Sequence, residues 1–91
     1  MIKIPAKAKE NAKKAIAANY LKNNCSNSIG VKTAELIIKE ENINSLTFAK
    51  KMYNYLTRAA VYNTKDWTKC GTISYNLWGG EVMYKHLKNF F

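Results

Sequence analysis

The sequence predicts an all-α fold, a compact single domain of four or five short helices over residues 1–91. Three observations predict it. Apolar residues recur at i, i+3, i+4 and i+7 in several windows, the spacing that lines one face of a helix. The segments between those windows are short and rich in Asn, Ser and Gly, which form turns. Only one segment alternates like a strand, and a lone strand is not stable without a partner. A chain of this length buries roughly 60–65% of the surface its unfolded form exposes. Its six Tyr, three Phe and two Trp are therefore natural anchors for a small core.

Pro5 suits a first helical turn, where its missing N–H costs nothing. Ala6 to Lys22 is rich in Ala and Lys, both strong helix formers. Ala8, Ala12, Ala15, Ile16 and Tyr20 make one stripe, so this helix can approach its neighbour closely while burying little area. Asn23 to Gly30 reads as a polar loop. A second helix is expected from about Val31 to Glu41, with Ala34, Ile37, Ile38 and Glu41 at helical spacing. Ser45 is an N-cap candidate for the strongest helix, Leu46 to Val61. Leu46, Ala49, Met52, Tyr53, Leu56, Ala59 and Ala60 mark its apolar face, while Phe48, Tyr55 and Tyr62 form a second, aromatic flank.

Gly71 to Trp78 is ambiguous. Ile73-x-Tyr75-x-Leu77 alternates like a strand, whereas as a helix the segment places Ile73, Leu77 and Trp78 on one side. With no second convincing strand elsewhere, a short helix is favoured, ended by Gly79-Gly80. A last helix is expected from Glu81 to Phe90, with Val82, Met83, His86, Leu87 and Phe90 on one face. The expected core is Ile16, Tyr20, Ile37, Ile38, Leu46, Ala49, Met52, Tyr53, Leu56, Leu77, Trp78, Met83, Leu87 and Phe90.

Charge narrows the function classes. Fifteen Lys plus Arg stand against six Asp plus Glu, a net charge of +9, and fourteen of the fifteen cations are Lys. Lys gives a diffuse, hydrated positive field, whereas Arg gives bidentate recognition. Such a balance favours nucleic acid, an anionic membrane or an acidic protein surface as partner. An AT-rich coding genome would account for many Lys codons, but not for the shortage of acids. Residues 1–22 carry six Lys and one Glu, a local +5. The candidate binding residues are Lys7, Lys9, Lys13, Lys14 and Lys22 on the first helix, with Lys50, Lys51 and Arg58 on the third. A membrane role is not expected. No apolar run approaches the roughly 20 residues needed to span a bilayer, and the first helix offers Ala where interfacial helices use Trp, Phe or Leu.

Catalytic chemistry is poorly provided for, and no enzyme activity is expected. His86, the one His, lies on the apolar face of the last helix and reads as a packing residue. Glu40 and Glu41 are adjacent, so on a helix they point apart and cannot act as paired acid and base. Cys25 and Cys70 are too few and too far apart for metal spacing, and are read as free thiols in a reducing cytoplasm. Gly79-Gly80 lacks the Lys-Ser/Thr of a phosphate-binding loop. No cofactor and no metal are expected.

Read in order, Pro5, Gly30-Val31-Lys32-Thr33-Ala34, Ser45-Leu46-Thr47, the run Lys51 to Arg58 with Val61, and the close Gly71 to Gly80 form a pattern. It resembles a short module of tailed-bacteriophage proteins over about residues 5–88. Leu77-Trp78-Gly79-Gly80 is its most specific part and is the candidate structural motif. Where that module has Arg-His-x-Val-Asp, this chain has Arg58-Ala59-Ala60-Val61-Tyr62, so the His and Asp are absent. The resemblance implies a phage head or morphogenesis role. The expected function is accordingly a non-enzymatic structural or assembly protein, in the virion or the host-cell cytoplasm, with its Lys face toward DNA, an acidic partner or other phage proteins; it is a possible oligomer. The rivals are a free, sequence-nonspecific nucleic-acid binder and a small inhibitor that docks on a host machine.

Overall fold

In a computed structural model of the chain, which describes residues 2–21, 28–62 and 66–91, the fold is all-α. Five helices are present among the described residues: α1 (Ala6–Leu21), α2 (Ser28–Lys39), α3 (Leu46–Ala59), α4 (Cys70–Leu77) and α5 (Gly80–Lys88). A 3-10 turn, Ala60–Tyr62, extends α3. Two short strands, β1 (Ile2–Lys3) and β2 (Asn42–Ile43), pair antiparallel with Ile2 opposite Ile43. The ladder continues through Ile4 N–H, which donates to Glu41 O at 2.9 Å.

Helix α1 is the hub. Ala8, Ala12 and Ala15 are fully buried on one stripe, and α1 packs on α4, α2 and α5. Small side chains at the contacts let the helix axes draw close, since interaxial distance follows the side chains between them. Helix α3 packs mainly on α5 through Ala49, Met52, Leu56 and Ala59. Its start is set by Ser45, whose Oγ accepts from Phe48 N–H at 3.2 Å, as the N-cap reading expects.

The segment 70–77 is helical, and its favoured reading holds. Ile73, Tyr75, Leu77 and Trp78 are all buried, so this short helix is covered nearly all round. That explains its strand-like alternation: period is uninformative where almost every side chain is buried. Trp78 stacks on Tyr55 with ring centroids 4.4 Å apart, which ties α4 to α3. Gly79 and Gly80 both have positive φ, 102° and 72°, and reverse the chain into α5. A Cβ on Gly79 would run into the Met83 side chain, and one on Gly80 into the Asn76 amide.

Several expected core residues hold: Ile37, Ala49, Met52, Leu56, Leu77, Trp78, Met83 and Leu87 are buried, with Ile16, Ile38 and Tyr53 packed at the core's edge. Two do not. Leu46 is 66% exposed, because it is the first residue of α3 and the buried stripe begins one turn later, at Ala49. Phe90 is 51% exposed, because α5 ends at Lys88 and helical spacing no longer aims the side chain. The Tyr20 side chain lies outside the description. Ile2, Ile4 and Ile43 were not expected inside; the paired strands put all three in the core. Helix α2 begins at Ser28, so Ile29 and Gly30 belong to it and not to the preceding loop.

Two measurements test this packing. Trp78→Ala removes a buried indole and its Tyr55 stack, and should cost about 3–5 kcal/mol in urea unfolding. A mutant melting within a degree or two of wild type would contradict the burial. Burial, with lesser contributions from Glu81 and Tyr84, pushes the Tyr75 phenol from an ordinary 10.0 up to about 12. Between those values the unfolded chain loses this proton and the folded one keeps it. Stability should therefore fall as pH rises from 10 to 12, by about 1.4 kcal/mol per pH unit beyond any fall in Tyr75→Phe. Parallel profiles for the two proteins would remove Tyr75 as the cause.

Candidate polyanion-binding surface

The buried stripe of α1 leaves Lys7, Lys13 and Lys14 exposed. Lys7 and Lys14 are seven residues apart, two turns along the same edge, and Asn11 lies between them. Lys7 Nζ sits 3.6 Å from the Glu10 carboxylate, with both side chains well solvated. An exposed pair of this kind contributes little to stability. Lys14 Nζ lies 4.3 Å above the centre of the Trp67 ring, a cation–π contact.

Lys9 differs from its neighbours. Its ammonium donates to Ile37 O at 2.9 Å, to Ile38 O at 3.3 Å and to Glu40 O. These carbonyls belong to the last turn of α2 and the residue beyond it, where the helix has no N–H to offer them and where the dipole favours a cation. Lys9 is thus a side-chain cap that joins α1 to the end of α2, and its charge is spent inside the fold. Lys22 lies outside the described residues.

On α3, Lys50, Lys51 and Arg58 are exposed. Lys50 Nζ lies 5.0 Å from the Phe91 ring centre and 5.6 Å from that of Tyr53. Tyr53 is itself stacked between Tyr84, at 5.8 Å, and Phe91, at 5.7 Å. Burial raises the Tyr55 phenol pKa, and the Arg58 charge partly opposes it. Helices α1 and α3 make at most marginal contact, so the structure does not join the two lysine sets through a shared helix interface.

The Leu77-Trp78-Gly79-Gly80 motif is buried and structural. Beside it, Asn11 Nδ2 donates to Gly79 O at 3.0 Å, and Asn76 Nδ2 donates to Thr72 O at 2.8 Å. These amides border a cavity of about 300 Å³ whose wall also includes Lys7, Trp67, Thr72 and Glu81. Sequence reasoning missed this cavity. Trp67 was legible from sequence only as one of several aromatics able to stack on an exposed base, and nothing in local spacing signals that residues 7, 67 and 81 meet.

His86 is half-buried, with its ring edge-on to Phe90 at 5.4 Å, in keeping with packing. Among the described residues no His, Cys, Asp and Glu cluster could hold a metal ion. No described helix is long and apolar enough to cross a membrane. Cys70 is disulfide-bonded, which corrects the expectation of free thiols; the other cysteine of the chain, Cys25, lies outside the described residues. No protein-family model, curated protein or solved structure matches the chain.

The capping role of Lys9 separates it sharply from its neighbours. Lys9→Met keeps much of the aliphatic stem but leaves the α2 carbonyls without their charged donor, and should cost about 1–3 kcal/mol. Lys13→Met, on the exposed face, should change stability by under about 0.5 kcal/mol. Urea midpoints for the two variants decide it, and equal midpoints would deny Lys9 its cap.

Proposed function

We propose that this chain is a non-enzymatic phage structural or assembly protein whose lysine-rich surface engages the phosphate backbone of DNA. The observation that carries this reading is the surplus of exposed cations. Lys7, Lys13, Lys14, Lys50, Lys51 and Arg58 all face solvent, and the ion pairs between described residues are two, Lys7–Glu10 and Lys85–Glu81. A surface on which most of the exposed cations have no carboxylate partner among the described residues attracts a polyanion through release of its counterions, without reading base sequence. The phage assignment rests on the resemblance that closes in Leu77-Trp78-Gly79-Gly80. The Cys70 disulfide favours the virion over the cytoplasm, since disulfides persist on virion surfaces and are reduced in the cytosol.

Titration of labelled duplex DNA at several salt concentrations tests the phosphate contact. Wild type should bind at low salt irrespective of sequence. Replacing Lys7, Lys13 and Lys14 together with Gln should leave folding intact and remove up to about 2.7 from the slope of log affinity against log salt, at about 0.9 per phosphate. Lys9 is kept, because its loss would confound stability with binding. No binding by wild type, or equal slopes, would sink the DNA role. Absence of the protein from purified particles would move it from the virion to a free nucleic-acid binder.

A further inference from the structure

The cavity between α1, α4 and the start of α5 has the chemistry of a small ligand site. Its volume of about 300 Å³ lies at the lower end of the range for such sites, roughly 300–1,000 Å³. Three kinds of group meet there. Trp67 supplies a large aromatic surface, half-exposed and bordering the cavity. Asn11, Asn76 and Thr72 supply amide and hydroxyl groups. Lys7 lines the cavity, and Lys14, against the Trp67 ring, adds a second cation next to it.

The wall also carries Glu81, whose carboxylate is 3.4 Å from Lys85 Nζ. A carboxylate in the wall disfavours a phosphate inside the cavity but accepts from ring and exocyclic N–H groups. Phosphate is instead drawn to Lys7 and Lys14, two turns apart on one edge of α1. The cavity is also held open in a defined shape. Gly80 has no Cβ, and a side chain there would strike both the Asn76 and the Asn11 amides. Asn11 is fixed by its bond to Gly79 O and Asn76 by its bond to Thr72 O.

The geometry points to a site for an unpaired nucleobase. The base stacks on Trp67 and meets the Asn11, Asn76 and Glu81 polar groups, while the flanking phosphates lie on Lys7 and Lys14. This rests on the DNA-binding reading above and deepens it, by making single-stranded DNA the preferred form. A paired base inside a duplex cannot enter the cavity, so duplex DNA meets only the lysines. Stacking on an aromatic side chain tolerates any base, which keeps the interaction largely independent of sequence.

The test compares a short labelled DNA oligonucleotide, single-stranded and as the duplex of the same sequence, against wild type, Trp67→Ala, Trp67→Leu and Trp67→Phe. Leu keeps apolar packing without a π face, and Phe keeps the face, so a fold defect is separable by melting each variant. Wild type should bind the single strand more tightly than the duplex. Trp67→Ala and Trp67→Leu should lose roughly 5- to 150-fold on the single strand, the fold-change expected for one stacked base, with duplex affinity unchanged. Trp67→Phe should retain most of it. Single-strand affinity unchanged in both Ala and Leu variants, or equal losses on single strand and duplex, overturns the base site. The phosphate reading then stands or falls separately, on the salt slope of the triple lysine variant. Should wild type bind neither form, the DNA reading fails and the base site is tested alone, with cytidine monophosphate followed by amide and indole NMR shifts. Shifts centred on Trp67, Asn11 and Asn76 support it, and their absence overturns it.

Discussion

The rest of this structure depends on the alanine face of α1. Ala8, Ala12 and Ala15 are fully buried, and through them one helix meets α2, α4 and α5. Individually each methyl contributes little transfer energy, at about 25 cal/mol per Å² of apolar area. Their value is geometric, because short side chains bring larger partners within van der Waals reach. Ile37, Ile73, Leu77 and Met83 are themselves fully buried as a result. Lys9 works beside the same face, and its ammonium joins α1 to the end of α2.

Gly79 and Gly80 answer a related constraint at the other end of the chain. Helices α4 and α5 are joined with almost no intervening segment, and both must stay in contact with α1. A two-residue reversal at positive φ is a conformation that side chains with a Cβ rarely adopt. The close packing of Gly79 on Met83, and of Gly80 on the two asparagine amides, adds a steric reason to the conformational one. One turn therefore sets the α4–α5 angle, buries Trp78 and shapes the adjacent cavity.

Much of the fold was legible in the sequence because local signals carried it. The Ser45 cap, the 49-52-56-59 stripe and the Gly79-Gly80 reversal each lie within a few residues, and local spacing reports them directly. What was not legible depended on residues far apart. Ile2 and Ile43 pair across 41 positions, and neither flank looks like a strand alone. Lys9 resembles every other lysine of its helix; only the arrival of the α2 carbonyls at its side gives it a separate role. The candidate surface follows the same division. Lys7, Lys13 and Lys14 could be placed on the solvent face from the Ala stripe, whereas the Trp67 cavity draws its wall from residues 7, 11, 67, 72, 76 and 81.

The alanine hub also orders the events of folding. Helix α1 leaves the ribosome before α4 and α5, which complete its surroundings. Most of the stability of a helix such as α1, 16 residues long, comes from tertiary packing of its buried face rather than from propensity. The early chain can pack α1 on α2, but the rest of the α1 surroundings wait for residues 70–88. Long-range contacts of this kind slow folding and keep apolar surface open while synthesis continues. A chain interrupted before the Gly79-Gly80 turn would lack α5 and leave α1 without part of its shelter.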